Sequence, residues 1–207
     1  MRHAEPNAGH RALAQLEARG SVTHVITQNV DRLHTRAGSR SVTELHGAIA
    51  EVHCLGCGAL ESRDDLQARL LVRNPDWMSH AVTVAPDGDA DVRDELIERF
   101  EVAPCVACGG ILKPRVVFFG ENVAKVTVDE AFGALQAADL LLVVGTSLTV
   151  FSGYRFLLRA ADRGIPIALV NRGPVRGEER ATLKIEASTG ATLTELARRL
   201  ALSAEEE

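Results

Sequence analysis

The sequence predicts a doubly wound α/β fold that carries an inserted, cysteine-bearing module, and three observations lead there. Short runs of consecutive apolar residues, Leu140–Val144 and Pro166–Val170, alternate with segments of helical periodicity. Such runs mark parallel strands buried on both faces. Glycines close these elements where a chain reversal is needed, at Gly20, Gly145 and Gly164. The four cysteines form two Cys-x-x-Cys pairs inside a stretch that lacks this alternation.

Taken in order, Asn7–Arg19 places Ala8, Ala12, Leu13 and Leu16 at helical spacing, with Gly20 as its stop. The β-branched run Val22–Thr27 follows as a strand. Asp129–Ala138 reads as a helix leading into the strand Leu140–Val144. Phe151–Arg163 is a second helix, closed by Gly164 and followed by the strand Pro166–Val170. Leu183–Ile185 is a weaker strand, and Ala191–Leu202 an amphipathic helix ahead of an acidic tail, Glu205–Glu207. Ligands of doubly wound sheets sit at strand carboxyl ends. Here those ends are Thr27-Gln28-Asn29, Gly145-Thr146-Ser147 and Asn171-Arg172-Gly173. Between the two α/β stretches, residues 51–110 hold all four cysteines, charged segments and the turn-like Pro86-Asp87-Gly88-Asp89. The organisation expected is therefore one sheet domain from 1–50 and 111–207, interrupted by a small domain at 51–110.

The composition is that of a globular protein: 207 residues, 46% apolar, with no apolar run approaching the length of a membrane span. A net charge of -5 argues against a nucleic-acid partner. The segment at Met1 lacks the apolar core of a secretory signal, so a cytoplasmic location is expected, with no membrane association.

The cysteine pairs Cys54/Cys57 and Cys105/Cys108 have the spacing of a structural zinc site, with thiolates at about 2.3 Å from the ion. Gly56, Gly58, Gly109 and Gly110 supply the tight turns such knuckles require. A disulfide pair or a redox Cys-x-x-Cys are the alternatives; a cytosolic setting disfavours the first, and duplication the second. Four sulfur ligands leave no open coordination position, so the expected ion, one zinc, stabilises the fold and performs no chemistry.

Two polar features precede the cysteines: Thr27-Gln28-Asn29-Val30-Asp31, and His46 within Glu44-Leu45-His46-Gly47. By residue type alone, the first reads as turn-forming residues after a strand, and the second as a histidine at a strand–loop junction. Together with Lys113-Pro114, Val116-Val117-Phe118-Phe119-Gly120-Glu121, Gly145-Thr146-Ser147-Leu148 and Val170-Asn171, these motifs resemble, in order, those of the sirtuins. Pro6-Asn7-Ala8-Gly9-His10 and Asn171-Arg172-Gly173-Pro174 resemble a bacterial, class II-like branch.

The resemblance implies a Rossmann-like NAD-binding domain and an NAD-dependent protein-lysine deacylase, which transfers the acyl group to ADP-ribose and releases nicotinamide. It casts His46 as the general base for a ribose hydroxyl, a task suited to imidazole. It casts Gln28, Asn29 and Asp31 as the nicotinamide and ribose pocket, and Gly145, Thr146, Ser147, Asn171 and Ser188 as further NAD contacts. Val117, Phe118, Phe119 and Gly120 become the channel for an acyl-lysine, with the peptide bound as an added strand; the partner implied is an acylated protein or peptide. His10, His24, His34 and His53 read as structural.

Two departures bear on this. The family's first strand and its Gly-Ala-Gly-x-Ser phosphate loop do not occur among these residues, and loss of a central strand leaves its neighbours with unpaired edges. Arg32 stands where the family has glycine, and asks of arginine a backbone conformation it does not favour. Two rival readings accompany the enzyme: a catalytically incompetent remnant serving as a zinc-stabilised peptide- or protein-binding module, and an ADP-ribosyltransferase.

Overall fold

The computed structural model describes residues 4–77, 83–84, 90–92 and 94–203. The Pro86–Asp89 turn and the Glu205–Glu207 tail lie outside the described residues. The chain forms two compact units, Met1–Gly47 with Val117–Glu207, and Ala48–Val116. Their borders fall outside the 51 and 110 read from composition, because the strands flanking the cysteine pairs belong to the smaller unit.

In the larger unit, helix α1 (Ala8–Ala18) starts at Asn7. The Asn7 side chain accepts the Gly9 and His10 amides, and His10 Nδ1 accepts the Asn7 amide in return. This reciprocal cap satisfies donors that an open helix end would leave unpaired. Strand β1 (Val25–Thr27) pairs in parallel with β2 (Val42–Glu44), the two joined through the short helix α2 (Leu33–Arg36). Helix α5 (Lys125–Gln136) leads to strand β8 (Leu141–Val144), and α6 (Phe151–Asp162) to β9 (Ile167–Val170). Strand β10 (Leu183–Ile185) and helix α7 (Thr189–Ser203) complete the unit. The labels β3–β7, α3 and α4 belong to the smaller unit described below.

Strands β8, β9 and β10 form a second parallel sheet in the order β10-β9-β8. Both of its faces are covered. Leu142 and Val144 pack with Ala12, Leu13, Leu16, Leu193 and Ala197, from helices α1 and α7. Val143 joins Ala131, Leu135, Phe156, Leu157 and Leu169 in the other core. This alternation along β8 is the period of two expected of a strand between helical layers. The single sheet anticipated from the sequence is thus present as two parallel pieces, with β1 and β8 not hydrogen-bonded to each other.

Helices α1 and α7 approach closely at two glycines. A Cβ on Gly9 would lie 3.4 Å from the Gly190 Cα, in van der Waals contact with the facing helix backbone.

In the smaller unit, β3 (Gly47–Cys54) is the middle strand of a three-stranded sheet between β4 (Leu60–Ser62) and β7 (Leu112–Val116). Helix α3 (Arg63–Arg73) is capped by the Ser62 hydroxyl. The pair β5 (Thr83–Val84) and β6 (Ala90–Asp91) and the helix α4 (Asp94–Glu98) follow α3. Among the described residues its core cluster is Val52, Leu66 and Ala103, with Leu70 and Leu112 packed against it.

Arg32 adopts the left-handed conformation, φ 59°, ψ 19°, as its position implied, and its side chain lies 3.7 Å from the Glu44 carboxylate. That ion pair is long and partly solvated, so it offsets little of the backbone cost. Arg32→Gly is expected to raise stability by about 0.5–1 kcal/mol. A higher urea midpoint at unchanged m-value checks this.

The His10 and His34 rings lie 4.7 Å apart, tilted by 57°, where α1 meets α2, and His34 Nδ1 is buried without a hydrogen-bond partner. Burial lowers the pKa of both from 6.5, against the opposing charge of Asp31. Because the folded values are depressed, the unfolded chain binds more protons below pH 6.5. Stability contributed here is complete above that value and falls as pH drops through and below it. Urea midpoints measured at pH 7.5 and 5.5 should therefore drop on acidification, and drop less in His34→Leu.

Candidate functional site

The polar run begins where β1 ends. The Thr27 hydroxyl accepts the Asn29 amide at 3.1 Å, and Asp31 Oδ1 accepts the Leu33 amide at 3.0 Å, which starts α2. Asp31 therefore has a local capping role, consistent with the turn reading of this segment. Gln28 points elsewhere. Its side chain lies over the first turn of α6, where a Cβ on Gly153 would come within 2.4 Å of Gln28 Nε2. Only glycine leaves room for that amide.

His46 sits in the turn between β2 and β3, beyond the buried Leu45. Its carbonyl accepts the Val117 amide at 2.9 Å. Its Nε2 lies 2.8 Å from the hydroxyl of Ser152, a buried residue in the first turn of α6. The same hydroxyl receives the Gln28 amide at 3.5 Å. Two residues singled out from the sequence, Gln28 and His46, thus meet at a third that sequence reasoning missed. Ser152 lies inside a helical pattern and reads as an ordinary helix residue; the adjacent Gly153, unusual within a helix, is the signal that marks the spot.

The remaining strand ends form a second group. Gly145 takes φ 64°, and a Cβ there would meet the Thr189 hydroxyl at 3.4 Å. The Thr146 hydroxyl accepts the Leu148 amide, and Ser147 is hydrogen-bonded through its side chain to Thr149 and through its carbonyl to the Arg176 amide. Leu148 is buried with φ 52°, a conformation uncommon for leucine. Asn171 and Ser188 line a depression of about 290 Å³ together with Arg172, Ala187, Thr189 and Gly190. Strand ends and the N-terminus of α7 converge there, an arrangement that suits ligand phosphate or hydroxyl groups.

Val117–Gly120 continues past the end of β7. Gly120 has φ 87°, Phe118 donates its amide to the Glu121 carboxylate, and Phe119 is fully exposed. The aromatic pair is therefore presented outward and not built into the core.

The four cysteine sulfurs converge within the smaller unit, all within 4.8 Å of one another. Cys54 and Cys108 are 3.4 Å apart, Cys57 and Cys105 3.8 Å. Gly110 closes over them: a Cβ there would lie 2.9 Å from the Cys54 sulfur and 3.2 Å from that of Cys108. The Cys57 backbone amide holds the Cys54 thiol down to about 6. The Gly110 amide acts in the same sense on Cys108, yet the neighbouring Cys57 and Cys54 sulfurs push that thiol up to about 12. Four thiols at this spacing resist joint ionisation unless a cation neutralises them. The set fits a tetrahedral metal ion with four sulfur ligands.

Comparison with known proteins agrees with this layout. Residues 1–152 match the model of the Sir2 family. An NAD-dependent protein deacetylase of Xanthomonas axonopodis pv. citri (strain 306) is 53% identical over 190 residues, 92% of this chain and 65% of the relative. NAD-dependent protein deacetylase 1 of Mycobacterium avium (strain 104) is 52% identical over 93% of this chain and 69% of its own length. The chain thus spans about two thirds of the length of these relatives. A solved structure of Sir2 bound to acetylated peptide superposes with a TM-score of 0.74 at 32% identity, covering 99% of this chain and 73% of that one. A mutant Sir2 homologue in complex with ADP-ribose superposes with a TM-score of 0.78 at 29% identity, covering 99% and 70%. Fold, cysteine cluster and relatives agree: the chain belongs to the Sir2 family, the sirtuins.

Proposed function

We propose that this chain carries the catalytic base and most of the cofactor contacts of a cytoplasmic NAD-dependent protein-lysine deacylase. The observation that carries the reading is the placement of His46 Nε2 beside Gln28 and Ser152, in the same unit as the depression lined by Asn171 and Ser188. In this reading the acyl oxygen of a modified lysine attacks C1′ of the nicotinamide ribose, and nicotinamide leaves. His46 then accepts the proton of a ribose hydroxyl, which adds to the acyl carbon; water supplies an oxygen, the carbon–nitrogen bond breaks to free the lysine amine, and the acyl group stays on ADP-ribose. Gln28, Asn29 and Asp31 pair with the carboxamide and ribose hydroxyls. Gly145, Thr146, Ser147, Asn171 and Ser188 hold the rest of NAD. Val117, Phe118, Phe119 and Gly120 receive the extended peptide around its acyl-lysine, and their outward presentation leaves the two aromatic rings facing solvent. One zinc on Cys54, Cys57, Cys105 and Cys108 stabilises the smaller unit.

A second reading, a binding module without turnover, is favoured by the separation of the parallel sheet into β1-β2 and β10-β9-β8. Nicotinamide release separates the two. The protein is incubated with NAD and an acetylated peptide, both as this chain and as a longer form with upstream residues. Release that requires the peptide supports the deacylase. Peptide binding without release from either form supports the module and ends the enzymatic reading. Release without peptide, accompanied by labelling of protein with ADP-ribose, identifies a transferase instead.

A further inference from the structure

We infer that Ser152 is a positioning residue for this reaction, setting the tautomer of His46 and the placement of Gln28; the inference rests on the deacylase reading only for its kinetic consequence. Ser152 is 8% exposed, so its hydroxyl must find partners inside the protein. It has two, and both belong to the residues proposed to act on NAD: His46 Nε2 at 2.8 Å and Gln28 Nε2 at 3.5 Å.

The direction of these bonds follows from the inventory of donors. An amide nitrogen only donates, so Gln28 Nε2 gives a hydrogen to Ser152 Oγ. The oxygen could accept twice, but the buried hydroxyl must also place its own hydrogen, and of its two side-chain partners only His46 Nε2 can receive it; a chain in which the hydroxyl both accepts and donates reinforces itself. The resting imidazole accordingly carries its proton on Nδ1, and Nε2 presents the lone pair that a general base needs. An acceptor at Nε2 that already faces a hydroxyl at 2.8 Å is placed to face a ribose hydroxyl.

Gly153 supports the arrangement from below. Any side chain there would collide with Gln28, since a Cβ would come 2.4 Å from Nε2 and 2.8 Å from Cδ. Ser152 and Gly153 therefore act as a pair: one supplies the hydroxyl, the other the space through which the amide reaches it. A serine that merely filled a small volume in the helix would serve as well as alanine, and this gives the test its contrast.

The experiment uses the full chain with nitrogen-15-labelled histidine, observed by NMR above pH 8. Wild type is expected to show His46 mainly as the Nδ1–H tautomer. Ser152→Ala should shift the tautomer ratio about threefold to tenfold toward Nε2–H, the size expected for loss of one hydrogen bond. Ser152→Thr, which keeps the hydroxyl, should restore it. Circular dichroism and thermal melts confirm that the variants fold. Unchanged tautomer populations in Ser152→Ala, or an Nε2–H tautomer already dominant in wild type, would overturn the inference. In the form that releases nicotinamide, Ser152→Ala should lower kcat about tenfold with KM for NAD within about twofold, and threonine should recover most of it. Undiminished kcat in Ser152→Ala also overturns the inference. If no form releases nicotinamide, the deacylase reading fails while the NMR result still decides the role of Ser152.

Discussion

Replacing Cys105 with serine is expected to unfold the Ala48–Val116 unit and leave the larger unit largely helical. The argument begins with the size of the core in the smaller unit. Among the described residues, Val52, Leu66 and Ala103, with two partly buried leucines, are few apolar side chains to oppose the ordering of this stretch of chain. Beside strand pairing and the Asn74–Glu101 and Arg69–Pro104 hydrogen bonds, the cysteine cluster joins its distant segments, tying the hairpin after β3 to the segment before β7. Bound metal contributes its binding free energy to folding because the unfolded chain offers no preformed site. Loss of one sulfur ligand from a four-sulfur site is expected to cost on the order of 5 kcal/mol or more, enough to exceed the stability of so small a unit. Metal analysis should find about one zinc per chain in wild type and much less in Cys105→Ser. Chelation of the wild type should reproduce the change in near-ultraviolet circular dichroism at the lone Trp77, which packs 4.6 Å from Phe100 in this unit. A variant that keeps its Trp77 signal without bound metal would show that the core suffices alone.

His46→Ala is expected to reduce NAD-dependent deacylation by about 10²–10⁴-fold, the usual worth of a general base. The side chain is half-buried and its carbonyl, not its ring, holds Val117, so the backbone contact survives the substitution. Binding of NAD should change little, because the loss falls on a proton transfer and not on the contacts at Asn171 and Ser188. Matched measurements of NAD affinity and acyl transfer check the separation: equal losses in both would mean that His46 serves binding.

Much of the larger unit was legible in the sequence, because the pattern there matches the structure's own period. Leu183–Ile185 coincides with β10, and the helix from Phe151 ends one residue short of the Arg163 anticipated. Where the reading fell short, a local reason exists. The run from Val22 becomes strand only at Val25, since the Ser21 and Val22 amides turn back to the Leu16 carbonyl at the end of α1. Helix α5 begins at Lys125, four residues before the expected Asp129; Val126, Thr127 and Val128 are β-branched and hide a helical turn. Strand β2 escaped notice because its buried centre is Thr43, a polar residue satisfied by His24 and Glu130. In the smaller unit Glu51, His53 and Glu61 interrupt any apolar alternation, so β3 and β4 looked irregular.

The candidate site was legible at the strand ends, where polar residues follow apolar runs. It was not legible at Ser152, whose significance arises only when the first turn of α6 meets the turn carrying His46. No spacing in the sequence encodes that meeting.

The close crossing of α1 and α7 at Gly9 and Gly190 sets an order on synthesis. Arg19 donates to the Ala197 carbonyl across 178 positions of sequence, and the core on that side of β8 joins residues near both ends of the chain. That layer cannot close until α7 has left the ribosome. The Ala48–Val116 unit is continuous in sequence and can assemble earlier, given its metal. Until α7 emerges, α1 and one face of β8 wait without their partner, and contacts this distant in sequence form slowly. The nascent chain is therefore exposed to aggregation at α1, and chaperone capture during synthesis should concentrate on its apolar stripe of Ala12, Leu13 and Leu16.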